Sequence, residues 1–334
     1  MDKRLKWGII GTGAIAHRFA KGLLESQTGQ LAAIGSRSEQ SAQAFALEYP
    51  ARAHGSYAAL LADPEVEAVY ISTPHPAHAN WAIRAAEAGK HILCEKPITM
   101  NHAETLAVVE AARKYDVFLM EAFMYRCHPQ TARLVELIRT GTIGEVRFIS
   151  AAFSFDAGTN LRSRLLSREL GGGGILDVGC YCASMARLIA GVATGAAFAE
   201  PLEICGTGMI GAESGVDEYA VASLKFPGGI LAQLACGVRL RLENNVRIVG
   251  TDGSILLPDP WTLNRSQGFS KLLVFKAGIP EEIIVEGAHD VYAIEADHVA
   301  DNIANRQAPA MSWADSLGNM KTLDAWRESV ERQM

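Results

Sequence analysis

The run Gly11-Thr12-Gly13-Ala14-Ile15-Ala16 follows directly on the apolar stretch Leu5–Ile10 and opens a helical pattern, and no other feature narrows the possible folds so far. A G-x-G-x-x-A turn between a strand and a helix has a physical purpose. The first glycine makes the turn, the second lets the backbone approach a pyrophosphate, and the alanine keeps the helix close to the sheet. The helix N-terminus adds partial positive charge for the phosphates. Gly11, Thr12, Gly13, Ala14 and Ile15 are therefore expected to hold a dinucleotide. The bland alternative, an ordinary tight turn, does not need this placement.

Apolar runs and helical stretches keep alternating as far as residue 123, which predicts an α/β Rossmann domain over residues 1–123. The expected strands are Leu5–Ile10, Leu31–Ser36, Ala68–Ser72, His91–Cys94 and Val117–Glu121. The helices between them are Ala14–Glu25, Glu39–Glu48, His78–Ala88 and a stretch capped by Asn101 that runs to Tyr115. Residues 124–334 change character and predict an α+β domain with an open, mostly antiparallel sheet. Its expected strands are Val146–Phe155, Pro201–Met209, Asp217–Phe226, Ile230–Leu240, Asn245–Gly250 and Ser254–Leu257. Helices are expected over Pro129–Thr140, Asp177–Ala190, Glu295–Asn305 and Ser316–Glu331, the last free to pack back on the first domain.

Three positions carry chemistry. At the end of the second strand, Ser36-Arg37-Ser38 offers hydrogen-bond donors and a guanidinium but no carboxylate, so a 2'-phosphate fits better than a free ribose hydroxyl. NADP is expected in preference to NAD. Lys96, in Cys94-Glu95-Lys96-Pro97, stands at the carboxyl end of a strand, where doubly wound sheets bind ligands. Pro97 fixes the local backbone, with a cis peptide open to it. After the run Gly171–Gly174, Asp177 and Tyr181 are four apart and share one helix face. Taken alone they read as an N-cap and a core aromatic.

Composition excludes several classes of partner. A net charge of −6 without a basic run argues against nucleic acid and anionic membranes. The N-terminus lacks the apolar core of a signal peptide, and no uninterrupted apolar run spans a bilayer, so a cytoplasmic protein is expected. The six cysteines lack metal or redox spacing and read as reduced, mostly buried small hydrophobes; no metal site is expected.

Together, Gly11-Thr12-Gly13, Ser72-Thr73-Pro74-His75 with His78, Glu95-Lys96-Pro97 and Gly171–Tyr181 resemble the Gfo/Idh/MocA oxidoreductase family over nearly the whole chain. Glu121–Arg126, Gly215-Val216-Asp217-Glu218 and Tyr181 are similar to the branch of dimeric dihydrodiol dehydrogenases and NADP-dependent D-xylose dehydrogenases. The resemblance implies a catalytic group of Lys96, Asp177 and Tyr181. It also implies a nicotinamide and ribose pocket lined by Thr73, Pro74, His75, His78, Glu95, Lys96 and Arg126. Where inositol dehydrogenases carry His, this chain has Tyr181, which lowers the expectation of an inositol substrate.

On this reading a hydride passes between NADP and a sugar-like alcohol or ketone. An aldopyranose such as D-xylose or glucose, a ketosugar and a trans-dihydrodiol all stay open. A free tyrosine with a pKa near 10 is a poor base at neutral pH unless a cation stabilises the phenolate, which gives Tyr181 the proton and Lys96 the cation's role. Asp177 orients the substrate hydroxyl or holds the lysine. Phe155, Asn160, Arg162 and Arg164 are expected beside Lys96, Asp177 and Tyr181 in the substrate pocket. An uncovered sheet face predicts a homodimer or homotetramer. The rivals are an NADP-binding sensor without turnover and an enzyme of the same fold that uses NAD.

Overall fold

The computed structural model describes residues 4–263, 268–276, 279–287 and 289–333. The chain forms two compact units, Met1–His128 with Ala288–Ser316, and Pro129–Gly287 with Leu317–Met334.

In the first unit a parallel sheet comprises β1 (Leu5–Ile10), β2 (Gly29–Gly35), β3 (Arg52–His54), β4 (Ala68–Ile71), β5 (His91–Glu95) and β6 (Leu119–Ala122). The order is β3-β2-β1-β4-β5-β6, so the direction of winding reverses between β1 and β4. Ligands of such sheets bind outside the carboxyl ends of the strands at that reversal. Strands covered on both faces read as continuous apolar runs, and Ala68–Ile71 is buried throughout. The crossover helices are α1 (Ala14–Leu23), α2 (Glu39–Glu48), α3 (Tyr57–Leu61), α4 (His78–Glu87) and α5 (His102–Lys114), with the single turn α6 (Met124–Cys127) after β6.

The boundary expected after residue 123 lies five residues later, and residues 288–316 belong with the first unit. Helix α9 (Val291–Asn302) packs back there, against α1, α6 and β2, and the first turn of the last helix joins it, with the Trp313 indole N–H on the Leu119 carbonyl at 3.0 Å. The cause is specific. Asp297 of α9 accepts hydrogen bonds from the hydroxyls of Ser26 and Thr28, both at 2.6 Å, and from the amides of Gln27 and Thr28, closing the α1–β2 turn.

The second unit begins with α7 (Pro129–Arg139) and β7 (Val146–Ser154). Its sheet adds β8 (Glu203–Ile210), β9 (Asp217–Lys225), β10 (Leu231–Gly237), β11 (Asn245–Gly250), β12 (Ser254–Pro258), β13 (Phe269–Lys276) and β14 (Ile279–Glu286). Eight strands lie in the order β14-β13-β12-β11-β7-β10-β9-β8. Every neighbouring pair is antiparallel except β7 with β10, which run parallel. The hairpin β13–β14 is absent from the sequence reading.

A π-helical turn, Ile175–Gly179, leads into α8 (Cys180–Ala193), and α10 (Trp313–Glu331) closes the chain. Residues 168–193 form a helical stretch long and apolar enough to cross a membrane, but Asp177 and Arg187 interrupt its apolar run and its apolar window is wholly buried in the fold. A helix apolar on all sides is a core helix. Arg187 sits within it, fully buried, and pairs with Glu200 at 2.6 Å.

Candidate active site

The turn after β1 gives α1 a bare N-terminus. Gly13 is its N-cap, with no side-chain cap bond and no acid in the first turn. Gly11 adopts φ +111°, and a Cβ there would lie 2.9 Å from the Ser72 hydroxyl, so only glycine suits this crossing of β1 and β4. A Cβ on Gly13 would meet nothing within 4 Å. That side of the turn is open toward the helix amides, as an anion cradle requires. Thr12 and Ile15 are half-buried and Ala14 is exposed beside it.

At the end of β2, Arg37 is exposed and Ser36 buried. The Ser38 hydroxyl oxygen is occupied as the cap of α2, accepting from Ser41 N–H at 3.3 Å. A residue missed by the sequence reading stands here. Burial raises the Tyr57 phenol above its ordinary value, while the Arg37 guanidinium, hydrogen-bonded to it, acts in the opposite direction. Tyr57 in turn meets Trp81 edge-on at 5.0 Å between ring centroids.

The turns after β4 and β5 are tied together. His78 is fully buried, with Nε2 2.8 Å from the Thr73 carbonyl and Nδ1 2.9 Å from the Pro97 carbonyl. Its ring therefore braces two backbone turns, and His75 packs on it at 5.6 Å. The Thr73 hydroxyl oxygen is buried without a hydrogen-bond partner, while Pro74 is half-buried next to it. The Lys96–Pro97 peptide is cis. Lys96 is half-buried, and its N–H donates to Glu95 Oε2 at 3.2 Å, while the Tyr70 hydroxyl donates to Oε1.

Two further buried carboxyls surround this turn. Glu121 Oε1 accepts from Ile98 N–H at 3.0 Å, and Oε2 is buried without a partner. Burial pushes this carboxyl up from 4.5 to about 7, against the Ser316 hydroxyl and the Ile98 amide. Glu295 is fully buried with both oxygens unpartnered, and burial first, then the charge of Glu95, pushes it well up. Arg126 is committed to Asp315 at 2.9 Å and to the Tyr125 hydroxyl at 3.2 Å, a buried ion pair that accounts for its place beside β6.

Lys96 belongs to the first unit, and Asp177 and Tyr181 to the second. There Asp177 and Tyr181 are 4% and 5% exposed at the start of the core helix. Asp177 Oδ1 accepts from Arg164 at 3.1 Å. Tyr181 lies edge-on to Phe153 and Trp261, with centroids at 5.2 and 5.8 Å, and Trp261 is held by its indole N–H on the Ala152 carbonyl at 2.8 Å. The structure thus brings Arg164 to Asp177. Phe155 instead packs with Leu165 against Leu166, Val216 and Val238. Asn160 accepts from Arg162 N–H at 3.1 Å within a local turn, and both side chains are exposed.

A family model described as "Oxidoreductase family, NAD-binding Rossmann fold" (GFO_IDH_MocA) matches residues 5–123, and the GFO/IDH/MocA C-terminal domain matches residues 131–256. The mouse trans-1,2-dihydrobenzene-1,2-diol dehydrogenase is 36% identical over 98% of this chain and 97% of its own. A D-xylose 1-dehydrogenase (NADP(+)) from Haloferax volcanii is 32% identical, covering 98% of both chains. Among solved structures, a 3-ketoreductase from Actinomadura kijaniata in complex with NADP and TDP-benzene superposes with a TM-score of 0.87, at 27% identity and 98% coverage of both chains.

Proposed function

Because the chain belongs to the Gfo/Idh/MocA oxidoreductase family, we propose that it transfers a hydride between NADP and the carbinol or carbonyl carbon of a sugar-like compound. Candidate substrates are an aldopyranose, a ketosugar or a trans-dihydrodiol. The observation that carries this reading is the pair of buried polar groups, Asp177 and Tyr181, on the first turns of a largely apolar core helix. Burying such groups costs free energy unless something offsets it, and polar side chains kept buried at that cost are candidate functional groups.

The chain's own residues fit the cofactor. The open α1 N-terminus suits a pyrophosphate, Arg37 backed by Tyr57 suits a 2'-phosphate, and the orphaned Thr73 hydroxyl suits a polar ligand at the strand ends. When bound, NADP supplies the hydride acceptor. In alcohol oxidation Tyr181 takes the hydroxyl proton as the C–H bond breaks, and in reduction it returns that proton to the oxygen. Lys96 is the cation assigned to the phenolate. The Arg164 contact suits Asp177 for orienting the substrate hydroxyl.

A cytoplasmic location and a homodimer or homotetramer belong to the same proposal. Met209, Tyr219, Val221 and Leu231 are exposed on β8, β9 and β10, an apolar face of the kind that associates. Mixing the protein with NADP or NAD and a panel of aldoses, ketosugars and dihydrodiols, and following absorbance of the reduced cofactor, tests the reading. Reduction of NADP by one class supports it. Tight NADP binding with no turnover on any of them would replace the enzyme with a sensor.

A further inference from the structure

The helix that bears Asp177 and Tyr181 begins at a residue without a side chain. Gly174 precedes Ile175 and can offer no cap of its own. The first amides of a helix have no partner inside it and need one from elsewhere. Strand β9 supplies it. Asp217 Oδ2 accepts from Ile175 N–H at 2.6 Å, and the same carboxylate takes a hydrogen bond from the Gly174 amide.

The glycine turn is built around that carboxylate. Gly173 adopts φ +112°, and a Cβ there would stand 2.2 Å from Asp217 Oδ1. Asp217 thus fills the space that a side chain at 173 would need. Gly173 N–H reaches back to the Leu165 carbonyl at 3.0 Å, and Asp177 N–H to the Gly173 carbonyl at 3.2 Å. Whatever fixes residues 173–175 therefore fixes the Arg164–Leu165 segment on one side and Asp177 on the other. Tyr181 follows one turn later.

We propose that Asp217 is a positioning residue for the reaction, holding from a neighbouring strand the helix start that aims Asp177 and Tyr181. This rests on the roles given to those two groups above. Asp217 meets main-chain amides from the glycine turn, Arg327 from α10 and Cys236 from β10, with Glu218 next on its own strand. Burial pushes its carboxyl up from 3.8 to about 6, while the Ile175 amide and, more weakly, Arg327 act in the opposite direction. A proton on Asp217 places a donor where the amides need an acceptor.

The test uses the full chain with NADP and the best substrate found, in Asp217→Asn and Asp217→Val. At pH 8 turnover should fall roughly tenfold in Asp217→Asn and further in Asp217→Val, with KM for NADP within about twofold, the pattern of misplaced rather than missing chemistry. Amide exchange over residues 171–181 should quicken in both variants. The native protein should lose turnover as pH falls through about 6, and Asp217→Asn should lack that acid arm. Turnover within about twofold of the native protein in both variants, or an acid arm unchanged in Asp217→Asn, overturns the proposal. Should Asp217→Val not fold, Asp217→Asn and the pH profile decide alone. Failure of the proposed function itself is read separately, from a fully active Tyr181→Phe, because amide exchange needs no turnover.

Discussion

Arg164 donates to Asp177 across 3.1 Å, yet its side chain is 43% exposed while that of Asp177 is 5% exposed. A buried carboxylate is thus reached by a guanidinium that faces water. Such a pair keeps a charged donor beside Asp177, at the rim of the candidate site.

Replacing Arg164 by Met should raise KM for the substrate roughly tenfold, the scale of one charge-assisted hydrogen bond of about 1.5 kcal/mol. Binding of NADP should not change. Steady-state kinetics with each ligand varied in turn would show it, and an unchanged substrate KM would reduce Arg164 to a surface group.

Tyr181→Phe should keep NADP binding nearly intact and lower turnover by about two orders of magnitude or more, as expected for a lost general acid/base. Lys96→Met should also cripple turnover, with residual activity displaced to higher pH because the phenolate has lost its cation. The double variant should be little worse than either single one, since groups that act as a unit are not additive. Additive losses would separate the two residues.

For cofactor choice, Arg37→Asp should weaken NADP strongly and leave NAD much less affected, measured by fluorescence titration without turnover. Tyr57→Phe should show a milder form of the same selectivity, because it removes the partner of the guanidinium. Equal losses for the two cofactors in Arg37→Asp would remove its specificity role.

Glu121 predicts a pH dependence of stability. Its folded-state pKa of about 7 lies above the ordinary 4.5. The native state therefore holds a proton that the unfolded chain releases. This contribution is fully present below pH 4.5 and is lost as pH rises through 7, by up to about 3 kcal/mol. Glu121→Gln keeps an acceptor for Ile98 N–H but cannot ionise. Its Tm should exceed that of the native protein at pH 8.5 and not at pH 5. A Tm gap that is the same at both pH values would contradict the assignment.

Association through the second-unit sheet should be disrupted by charge. Val221→Lys together with Leu231→Asp, on neighbouring strands of the exposed face, should yield monomers in light scattering where the native chain gives dimers or tetramers. A native chain that is monomeric at micromolar concentration would sink the idea.

Where local pattern decides structure, the sequence was legible. β1, α2 and β11 fall where hydrophobic periodicity puts them, because each is decided within a few residues. Elements whose partners lie far off in the chain were less so. Arg52–His54 is too short and polar to announce a strand, yet it pairs with β2 through Ala33, Ile34 and Gly35. Phe269–Lys276 and Ile279–Glu286 gain their identity from pairing with each other. In the candidate site, spacing put Asp177 and Tyr181 on one helix face, and the family resemblance marked them as catalytic. Arg164 was named without its partner, Asp217 was seen only as part of a motif, and Glu295 on α9 looks like an ordinary helix surface acid. Burial by a distant segment is what makes each of them unusual, and no window of sequence contains it.

The parallel pairing of β7 with β10 has a further consequence. Adjacent parallel strands cannot be joined by a hairpin, so a long connection must separate Ser154 from Leu231. That connection carries Arg164, the glycine turn, the core helix, the edge strand β8 and its neighbour β9. During synthesis β7 emerges long before its partner. The pairing of β7 with β10 therefore waits until residues 155–230 have been made. The same arrangement leaves residues 158–170 beyond the last backbone bond to the sheet, from Ala157 N–H to the Val238 carbonyl, where lengthening a loop costs little closure entropy. Relatives could thus exchange one substrate for another by rewriting this stretch while the sheet on either side stays as it is.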